Sequence, residues 1–367
     1  MRIGIITMHK VLNCGSALQA YALQRKLREM GYDSEIINYK YLDKSGSTPS
    51  LKARAISFLR EALFGFPVER MKRKFKAFRR RNLVLSKKTY DKKSIVKNLP
   101  QYDLYIAGSD QIWNPRFIGD DVNFLLAFAA PDARRISYAS SIAASAIEGG
   151  LKEVYSRHLS RFRAISVRER TGVEIIKDLT GKEATVCCDP TLLLGREVWD
   201  ELALQSKYRI TEKYILVYAL SYMFDPFPQI YGIVDKVQKT LGMKVVFLQG
   251  RAKDVFRPDS KLIKSAGPAD FAYLFKHASF VITTSFHGAT FALINDKPLI
   301  GVVDSQSASD SRIQSLLETV LASGSIYDYR DTPDDLDASA LLTLKGKRDA
   351  LDNLVKESVK YLKDNLQ

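Results

Sequence analysis

The sequence predicts an α/β protein built from two doubly wound domains, and three observations lead to that prediction. Short apolar runs alternate with longer amphipathic stretches, which is typical of strands and helices in successive βαβ units. The alternation stops at a polar stretch that ends at Lys213 and then starts again. The chain has 367 residues, of which 46% are hydrophobic and 26% charged, so it is long enough for two cores. We therefore expect two parallel sheets that face each other across a cleft.

The elements of the first half follow in chain order. Residues 2–7 read as a strand, residues 15–30 as an amphipathic helix that Gly31 ends, and residues 34–39 as the second strand. The further elements of this half are strands at 104–107, 136–139, 164–167 and 183–187 and helices near 151–162 and 169–179. We expect them to form an N-terminal domain over residues 1–195, with a basic helical insert at about 45–97.

The pattern restarts in the second half. Its predicted elements are strands at 214–220 and 244–248, helices near 229–241 and 269–276, and a strand–turn–helix–strand unit over 280–303. We expect a C-terminal domain over residues 205–345. A polar helix then closes the chain within residues 346–367, and it could pack back on the N-terminal domain.

The unit over residues 280–303 is the most informative part of the sequence. It sets His287 at the carboxyl end of a buried strand and at the start of an apolar helix, where Ser285 and Gly288 flank it. Open parallel sheets bind ligands at this edge, and helix N-termini favour anions. His287 is one of only four histidines and is a candidate proton donor. The alternative is a histidine at a helix start with no chemical role.

The segment 103–115 combines side chains that suit a sugar. A buried strand leads into a polar loop that carries a carboxylate, amides, a hydroxyl and an indole, namely Ser109, Asp110, Gln111, Trp113 and Asn114. Polar side chains can bind sugar hydroxyls, the indole face can cover the C–H side, and Asp110 could accept a proton from an attacking hydroxyl. The alternative is a capped helix with a packed tryptophan.

Other candidate binding residues lie at strand ends or before a strand. Asn13 and Gly15 join the first strand to the first helix in a turn of small residues that is not the GxGxxG dinucleotide fingerprint. Arg168 ends a strand and could fork onto a carboxylate or phosphate. Lys297 precedes a strand, where a solvated lysine is the ordinary outcome. Asp189, in an Asp-Pro-Thr turn, is expected mainly to shape the connection between the domains.

Composition limits the function classes. The three cysteines form neither a disulfide framework nor a metal site, which fits a reducing cytoplasm. We expect no bound metal. No apolar run approaches the roughly 20 residues that span a bilayer, and the N-terminus lacks the features of a signal peptide.

The positive charge is concentrated in one segment. Residues 52–97 carry sixteen Lys or Arg against three acidic residues, a net charge of +13 out of +15 for the whole chain. The segment has no recognised nucleic-acid-binding pattern, so we expect no nucleic acid partner. Its amphipathic stretches, 56–66 and 69–81, suggest that residues 51–97 dock on an anionic membrane surface. A solvated helical insert is the alternative.

Taken together, these segments resemble the polysaccharide pyruvyl transferase family. The resemblance is carried, in order, by residues 5–39, 102–115, 136–143, 165–176, 187–194 and 281–302. That family is associated with transfer of pyruvate from phosphoenolpyruvate onto two hydroxyls of a sugar, giving a cyclic ketal. The resemblance implies a GT-B-like fold of two Rossmann-like domains. It also implies no cofactor besides phosphoenolpyruvate as co-substrate, and action on bacterial surface polysaccharides.

The resemblance also implies roles for the candidate residues. His287 would protonate the donor, and Asp110 would accept a hydroxyl proton or position the sugar. The donor-binding set is Arg168, Ser285, Gly288 and Lys297, and the acceptor-binding set is Asn13, Gly15, Ser109, Gln111, Trp113 and Asn114. Better-known members carry Arg-Leu-His where this chain reads Ser285-Phe286-His287. Either another cation, for instance Arg168 or Lys297, binds the donor, or the donor differs.

The expected acceptor is a saccharide linked to polyprenyl diphosphate, which would bring a cytoplasmic protein to the inner face of the plasma membrane. Two other functions stay open. One keeps the GT-B shape but uses a nucleotide-sugar donor, as a glycosyltransferase does. The other is a non-catalytic protein that binds carbohydrate or nucleic acid through the basic segment.

Overall fold

The computed structural model describes residues 1–41, 66–221, 223–251, 254, 257–307, 311–331 and 347–367. The strands are β1 (Arg2–Ile6), β2 (Asp33–Tyr39), β3 (Leu85–Tyr90), β4 (Leu104–Ala107), β5 (Arg135–Ser137), β6 (Ser166–Val167), β7 (Thr185–Val186), β8 (Tyr214–Tyr218), β9 (Lys244–Leu248), β10 (Ser260–Ile263), β11 (Phe280–Thr283), β12 (Leu299–Val303) and β13 (Ile326–Asp328).

The α-helices of the described residues are α1 (Cys14–Glu29), α2 (Pro67–Asn82), α3 (Ser94–Lys97), α4 (Pro115–Ile118), α5 (Gly150–Leu159), α6 (Arg170–Thr180), α7 (Arg196–Ala203), α8 (Ile230–Leu241), α9 (Pro268–His277), α10 (Phe286–Ile294), α11 (Ser311–Thr319) and α12 (Lys347–Asn365). Short 3-10 turns occur at Val122–Leu125, Pro190–Leu193 and Ser323–Ser325. The amphipathic stretch predicted at 56–66 lies, except for Phe66, outside the described residues.

Two large all-parallel sheets confirm the predicted α/β class, and β6 and β7 form a small parallel sheet of their own. The first has the order β3-β2-β1-β4-β5 and the second the order β10-β9-β8-β11-β12-β13. Every residue of β4, β8, β11 and β12 is buried, as is usual for parallel strands covered on both faces. The apolar runs do not predict β3, β10 and β13, because these are edge strands with polar or half-exposed sequences such as LSKKTY.

In each of the two large sheets the chain first adds strands toward one edge and then returns to add strands toward the other. The pair of neighbouring strands where this direction reverses positions the site. In the first sheet the reversal lies between β1 and β4, and in the second it lies between β8 and β11. Loops that leave the carboxyl ends of such strand pairs form a crevice, which is where doubly wound sheets bind ligands. Here the loops carry Asn13, Asp110 and Leu220, and His287 follows β11 in the first turn of α10.

Helix α1 lies between the two sheets. Asn13 caps it by accepting a hydrogen bond from the Ser16 amide at 3.2 Å, and Gly31 follows its end with a φ of 87°. The helix contacts β2 and the Pro190–Leu193 turn on one side and α9 of the second domain on another. Because it is covered from both domains, most of its side chains are buried rather than one stripe only.

Helix α2 is the described part of the basic segment, and its apolar stripe faces the protein. Phe75 and Phe78 are buried, and the Phe78 ring meets Tyr21 of α1 edge to face at 5.9 Å between centroids. Lys74 reaches the second domain, with Nζ 2.7 Å from Asp270 Oδ2. The apolar face of α2 is therefore covered by the protein itself, which leaves only its cationic face for an outside surface.

Helix α12 lies on the first domain. The Tyr361 hydroxyl donates to the Ser137 carbonyl at 2.9 Å, and the Ser358 hydroxyl accepts from the Cys188 amide at 2.8 Å. Arg163 donates to the carbonyl of Gln367 at 3.3 Å. The chain thus returns to the domain in which it began. Among the described residues, no helix has both the length and the apolar character that crossing a membrane requires.

Candidate active site

A cleft of about 910 Å³ lies where the carboxyl edges of the two sheets face each other. This is the size range of small-molecule sites. The first domain contributes, among others, Lys10, Asn13, Ser16, Asp110 and Gln111, and the second contributes Thr284, Ser285, Phe286, His287 and Arg312. The structure therefore brings both candidate catalytic residues, His287 and Asp110, to one cleft.

His287 stands in the first turn of α10, packed against the first turn of α1. Ser285 caps α10 by accepting from the Gly288 amide at 3.3 Å. A Cβ placed on Gly15 would lie 2.1 Å from His287 Nδ1, so only glycine lets the imidazole approach this backbone. Nε2 points the other way and lies 3.3 Å from Asp189 Oδ2, in contact but not aligned as a hydrogen bond.

Asp189 is fully buried and holds this end of the cleft together. Its Oδ1 accepts from the amide of Thr191 at 3.0 Å and from its hydroxyl at 2.7 Å, while Oδ2 faces His287. Burial alone would raise the pKa of the Asp189 carboxyl. The neighbouring His287 and Arg168, together with the Thr191 hydrogen bond, outweigh burial and hold that pKa well below its usual range.

Asp189 therefore does more than shape the domain connection. It caps the Asp-Pro-Thr turn through one oxygen, and it faces the candidate acid through the other. The sequence carries no sign of this second contact, because His287 lies 98 positions further along the chain and in the other domain.

Arg168 lies behind the cleft wall. Its Nη1 donates to Asp189 Oδ2 at 2.8 Å, and its guanidinium carbon lies 4.2 Å above the ring of Phe286. The side chain is 1% exposed, and Nε and Nη2 have no hydrogen-bond partner among the described residues. In this structure Arg168 contacts the residue that faces His287 and does not line the cleft itself.

Asp110 is fixed by its backbone and by two hydrogen bonds. Its φ of 76° is in the left-handed region, where non-glycine residues are uncommon and cluster at functional sites. Oδ1 accepts from the Gln111 amide at 2.8 Å, and Oδ2 accepts from the Ser16 hydroxyl. Since Gly15 packs on His287 and Ser16 bonds to Asp110, consecutive residues of α1 contact both candidate catalytic groups.

The predicted acceptor residues are only partly at the cleft. Asn13 and Gln111 line it, and Gly15 contacts His287 at its edge. Ser109 is fully buried, and its hydroxyl is 3.4 Å from Asp189 Oδ2. It therefore belongs to the buried support of the site.

Trp113 and Asn114 do not contact the cleft, which corrects the expectation that they bind a sugar. The Trp113 ring is fully buried, its Nε1 donates to the Phe124 carbonyl at 3.1 Å, and its edge meets Phe162. Asn114 caps α4 by accepting from the Arg116 amide at 2.9 Å. The alternative interpretation, a capped helix with a packed tryptophan, is the correct one.

Two predicted donor residues also need correction. Gly288 does not line the cleft; its amide is bound by Ser285, and a Cβ there would lie 2.2 Å from the Thr283 hydroxyl. Lys297 precedes β12, and β12 runs parallel to β11 with Leu299 opposite Val281. It therefore lies at the amino edge of the sheet, roughly 20 Å of strand away from Ser285.

Sequence reasoning does not find the cations that line the cleft. Lys10, Lys40 and Arg116 stand on the first domain and Arg312 on the second. Burial, with the charges of Lys40 and Arg79, lowers the pKa of Lys10 to about 8. Each of these residues is a single cation in an ordinary loop or helix, so no spacing or motif marks it. Within the described residues, no group of three or more His, Cys, Asp or Glu side chains could hold a metal ion.

Comparisons with known proteins bear on the family and on the fold of the chain. The family model described as polysaccharide pyruvyl transferase matches residues 13–306 of the chain. No curated protein sequence matches it at a significant level. The UDP-GlcNAc 2-epimerase from Methanocaldococcus jannaschii, in complex with UDP-GlcNAc and UDP, is a similar solved structure. Its identity is 13%, its TM-score is 0.56, and the match covers 98% of this chain and 100% of that one.

The UDP-GlcNAc 2-epimerase from Neisseria meningitidis bound to UDP-GlcNAc is similar as well. Its identity is 11%, its TM-score is 0.54, and the match covers 100% of this chain and 99% of that one. At such identities the likeness concerns the fold alone. It confirms the GT-B-like arrangement of two Rossmann-like domains.

Proposed function

Because the chain belongs to the polysaccharide pyruvyl transferase family, we propose that it transfers pyruvate from phosphoenolpyruvate onto two hydroxyls of one sugar residue. The product is a cyclic ketal on a bacterial surface polysaccharide or its precursor. The observation that carries the proposal is the first turn of α1, where Gly15 packs on His287 and Ser16 bonds to Asp110. A candidate acid and a candidate base from different domains thereby face one cleft.

The proposed chemistry needs one proton donor and one proton acceptor. A proton adds to the methylene carbon of phosphoenolpyruvate, C2 becomes electrophilic, and a sugar hydroxyl forms the first C–O bond to it. The second hydroxyl forms the second C–O bond as the bond between C2 and the phosphate oxygen breaks. One of the two hydroxyl protons replaces the proton that was donated, and the other leaves with inorganic phosphate. No electrons are gained or lost.

His287 is the proposed proton donor. The carboxylate of Asp189 lies 3.3 Å from Nε2 and limits rotation of the ring. Arg168 bonds to the same carboxylate from the other side, so Asp189 cannot turn away from the histidine without breaking that bond. We assign Asp189 and Arg168 as positioning residues of this acid.

Asp110 is the proposed acceptor of a hydroxyl proton. Its two oxygens each hold one hydrogen bond, from Ser16 and from the Gln111 amide, which fixes the carboxylate at the cleft wall. Asn13 and Gln111 line the same wall and suit the other sugar hydroxyls. The cations Lys10, Lys40 and Arg116 on this wall suit an acceptor that carries a diphosphate, as a polyprenyl-linked saccharide does.

The proposed location follows from the proposed acceptor. A polyprenyl-linked saccharide would lie at the inner face of the plasma membrane. The outward cations of α2, among them Lys72, Arg73 and Arg80, could hold the protein on anionic lipid there. The covered apolar stripe of α2 limits this contact to charge.

A glycosyltransferase with a nucleotide-sugar donor is the second candidate. The observation that favours it is the fold shared with epimerases whose structures hold UDP-GlcNAc. The residues at the cleft give it no separate support beyond that likeness.

Ligand-induced thermal stabilisation tests the proposal. We would measure the melting temperature of the protein with phosphoenolpyruvate, UDP, UDP-sugars and GDP, each over a range of concentrations. A ligand that binds the folded state raises the melting temperature by mass action. We expect a shift with phosphoenolpyruvate and none with the nucleotides.

A shift with UDP or GDP compounds and none with phosphoenolpyruvate would contradict the proposal and favour the glycosyltransferase. The same experiment on His287→Gln separates binding from chemistry. That variant should still be stabilised by phosphoenolpyruvate, while formation of the ketal product on any accepted saccharide falls by about 10²- to 10⁴-fold, as for loss of a general acid.

A further inference from the structure

Few cations face the cleft from the second domain, where the proposed proton donor His287 stands. Among the described residues that line it from the second domain, Arg312 is the single lysine or arginine. Arg168 lies behind Phe286 and is bonded to Asp189, and Lys297 lies at the opposite edge of the sheet. A donor with a carboxylate and a phosphate is poorly accommodated at a partly dry wall without a cation.

The topology sets Arg312 at the same edge of the second sheet as His287, and both line the cleft. Strands β11 and β12 are parallel neighbours, with Thr283 opposite Gly301. His287 follows β11 within the first turn of α10, and Arg312 follows β12 within the first turn of α11. Both side chains therefore arise at the same carboxyl edge of adjacent strands, and α10 and α11 contact each other.

The helix that carries Arg312 is held on two sides. Ile313 is fully buried against Gly301, where a Cβ would lie 2.8 Å from its Cγ2. On the other side the hydroxyl of Ser315 accepts from the Arg170 amide of the first domain at 3.4 Å. Arg312 itself is 8% exposed. A cation on such a fixed helix loses little freedom on binding a ligand, which favours recognition.

We propose that Arg312 binds an anionic group of the donor, the carboxylate or the phosphate of phosphoenolpyruvate, next to His287. This inference rests on the proposed function. The planar guanidinium fork matches either group with two parallel hydrogen bonds. In that role Arg312 is a specificity residue, because it selects an anionic donor at the wall where the proton is delivered.

The test is the dissociation constant of phosphoenolpyruvate, measured by calorimetry on the full chain. We compare the wild type with Arg312→Gln, Arg312→Lys and the control Arg196→Gln, whose side chain is 44% exposed and pairs with Asp296 at the far edge of the sheet. Arg312→Gln should weaken binding by about 10- to 100-fold, Arg312→Lys by less, and the control by less than about 2-fold.

Two simpler anions identify the group that is bound. Phosphoglycolate carries both a carboxylate and a phosphate, whereas ethyl phosphate carries a phosphate alone. If Arg312→Gln weakens binding of phosphoglycolate and leaves binding of ethyl phosphate unchanged, Arg312 binds the carboxylate. If the substitution weakens binding of both anions to the same degree, Arg312 binds the phosphate. Either result supports the inference.

Two outcomes overturn the inference, and they differ. If the wild type and both Arg312 variants bind phosphoenolpyruvate with equal affinity, Arg312 does not bind the donor, and the proposed function stands. If the wild type does not bind phosphoenolpyruvate, both the role of Arg312 and the proposed function are wrong. The melting temperatures of the unliganded variants show whether Arg312→Gln folds. If it does not fold, the comparison rests on Arg312→Lys, which keeps the positive charge but lacks the guanidinium fork.

Discussion

Charged side chains occur in two opposite settings in this protein. Around Asp189 a carboxylate, a guanidinium and an imidazole lie almost out of contact with solvent, and each faces another. Along α2 a larger number of cations point outward, with side chains such as that of Lys72 about half exposed. Removing one partner from a dry network leaves an uncompensated charge, whereas removing an exposed charge is nearly free. The many charges of α2 therefore matter less for folding than the few around Asp189.

The sharpest test of this comparison is the loss of one buried cation. Arg168→Met leaves the fully buried Asp189 carboxylate without the guanidinium that donates to it at 2.8 Å. We expect the free energy of unfolding to fall by about 3–5 kcal/mol, measured by urea denaturation.

The matched control is Lys72→Met, which removes an exposed ion pair with Glu69. Its change should stay within about 0.5 kcal/mol. Similar losses in the two variants would break the comparison, because burial would then make no difference to the value of a charge.

Acid should weaken the buried network more than the exposed one. The folded protein holds the pKa of Asp189 below that of the unfolded chain. The carboxylate therefore contributes its full stability above about pH 4 and loses it as the pH falls further. The difference in unfolding free energy between the wild type and Asp189→Asn should shrink below that pH, by about 1.4 kcal/mol for each unit by which the pKa is lowered.

Asp178→Asn serves as the control, since Asp178 is 65% exposed. Its difference from the wild type should stay small and flat over the same range. A difference for Asp189→Asn that does not change between pH 5 and pH 3 would mean that the carboxylate is not held ionised by its neighbours.

The contact between Gly15 and His287 gives a smaller but more local effect. In Gly15→Ala the new methyl group would lie 2.1 Å from Nδ1, so the imidazole or α1 must move. We expect a loss of about 1–3 kcal/mol of stability, typical of overpacking, together with loss of pyruvyl transfer. Gly150→Ala is the control, because a methyl group added there would have no atom of the described residues within 4 Å. Full activity in Gly15→Ala would show that the imidazole need not occupy this position.

The exposed cations should give the smallest effect on stability and a visible one on membranes. Neutralising Arg80 and Arg81 together should change the free energy of unfolding by less than about 0.5 kcal/mol for each residue. Binding to vesicles that contain anionic lipid, measured by flotation, should weaken by about 1 kcal/mol per cation. Unchanged flotation would exclude these two residues from any membrane contact. Arg79 is left in place because it is half-buried, and burial lowers its pKa.

Much of the fold could be predicted from the sequence, because buried parallel strands leave continuous apolar runs. Strands such as Phe280–Thr283 and Leu299–Val303 can be predicted from the sequence for that reason. Edge strands such as Leu85–Tyr90 are not, since their residues face solvent on one side. Motifs at strand ends likewise predict that His287 and Asp110 lie at the cleft, because the position of a residue at the carboxyl edge of a strand is a local property.

The rest of the site depends on contacts between distant parts of the chain. Asp189 and His287 are close only because two domains meet there. Trp113 is polar at one atom and apolar elsewhere, so the sequence could not tell a sugar platform from a core ring whose Nε1 is bonded to a carbonyl. Lys297 and Arg312 are both cations near a strand, and only the direction of β12 separates the one at the amino edge from the one at the cleft.

The contacts of helix α1 bear on when, during opening and closing of the cleft, the proposed proton donor is in place. Its first turn belongs to the first domain but touches His287 of the second through Gly15, while Ser16 holds Asp110. A hinge rotation that widened the cleft would pull Gly15 away from the imidazole, so opening would also displace the proposed acid. Under the proposed function, such an interlock would restrict proton delivery to the interval in which the cleft is shut around both substrates. A donor that arrived alone, in an open and wet cleft, would then be spared wasteful hydrolysis.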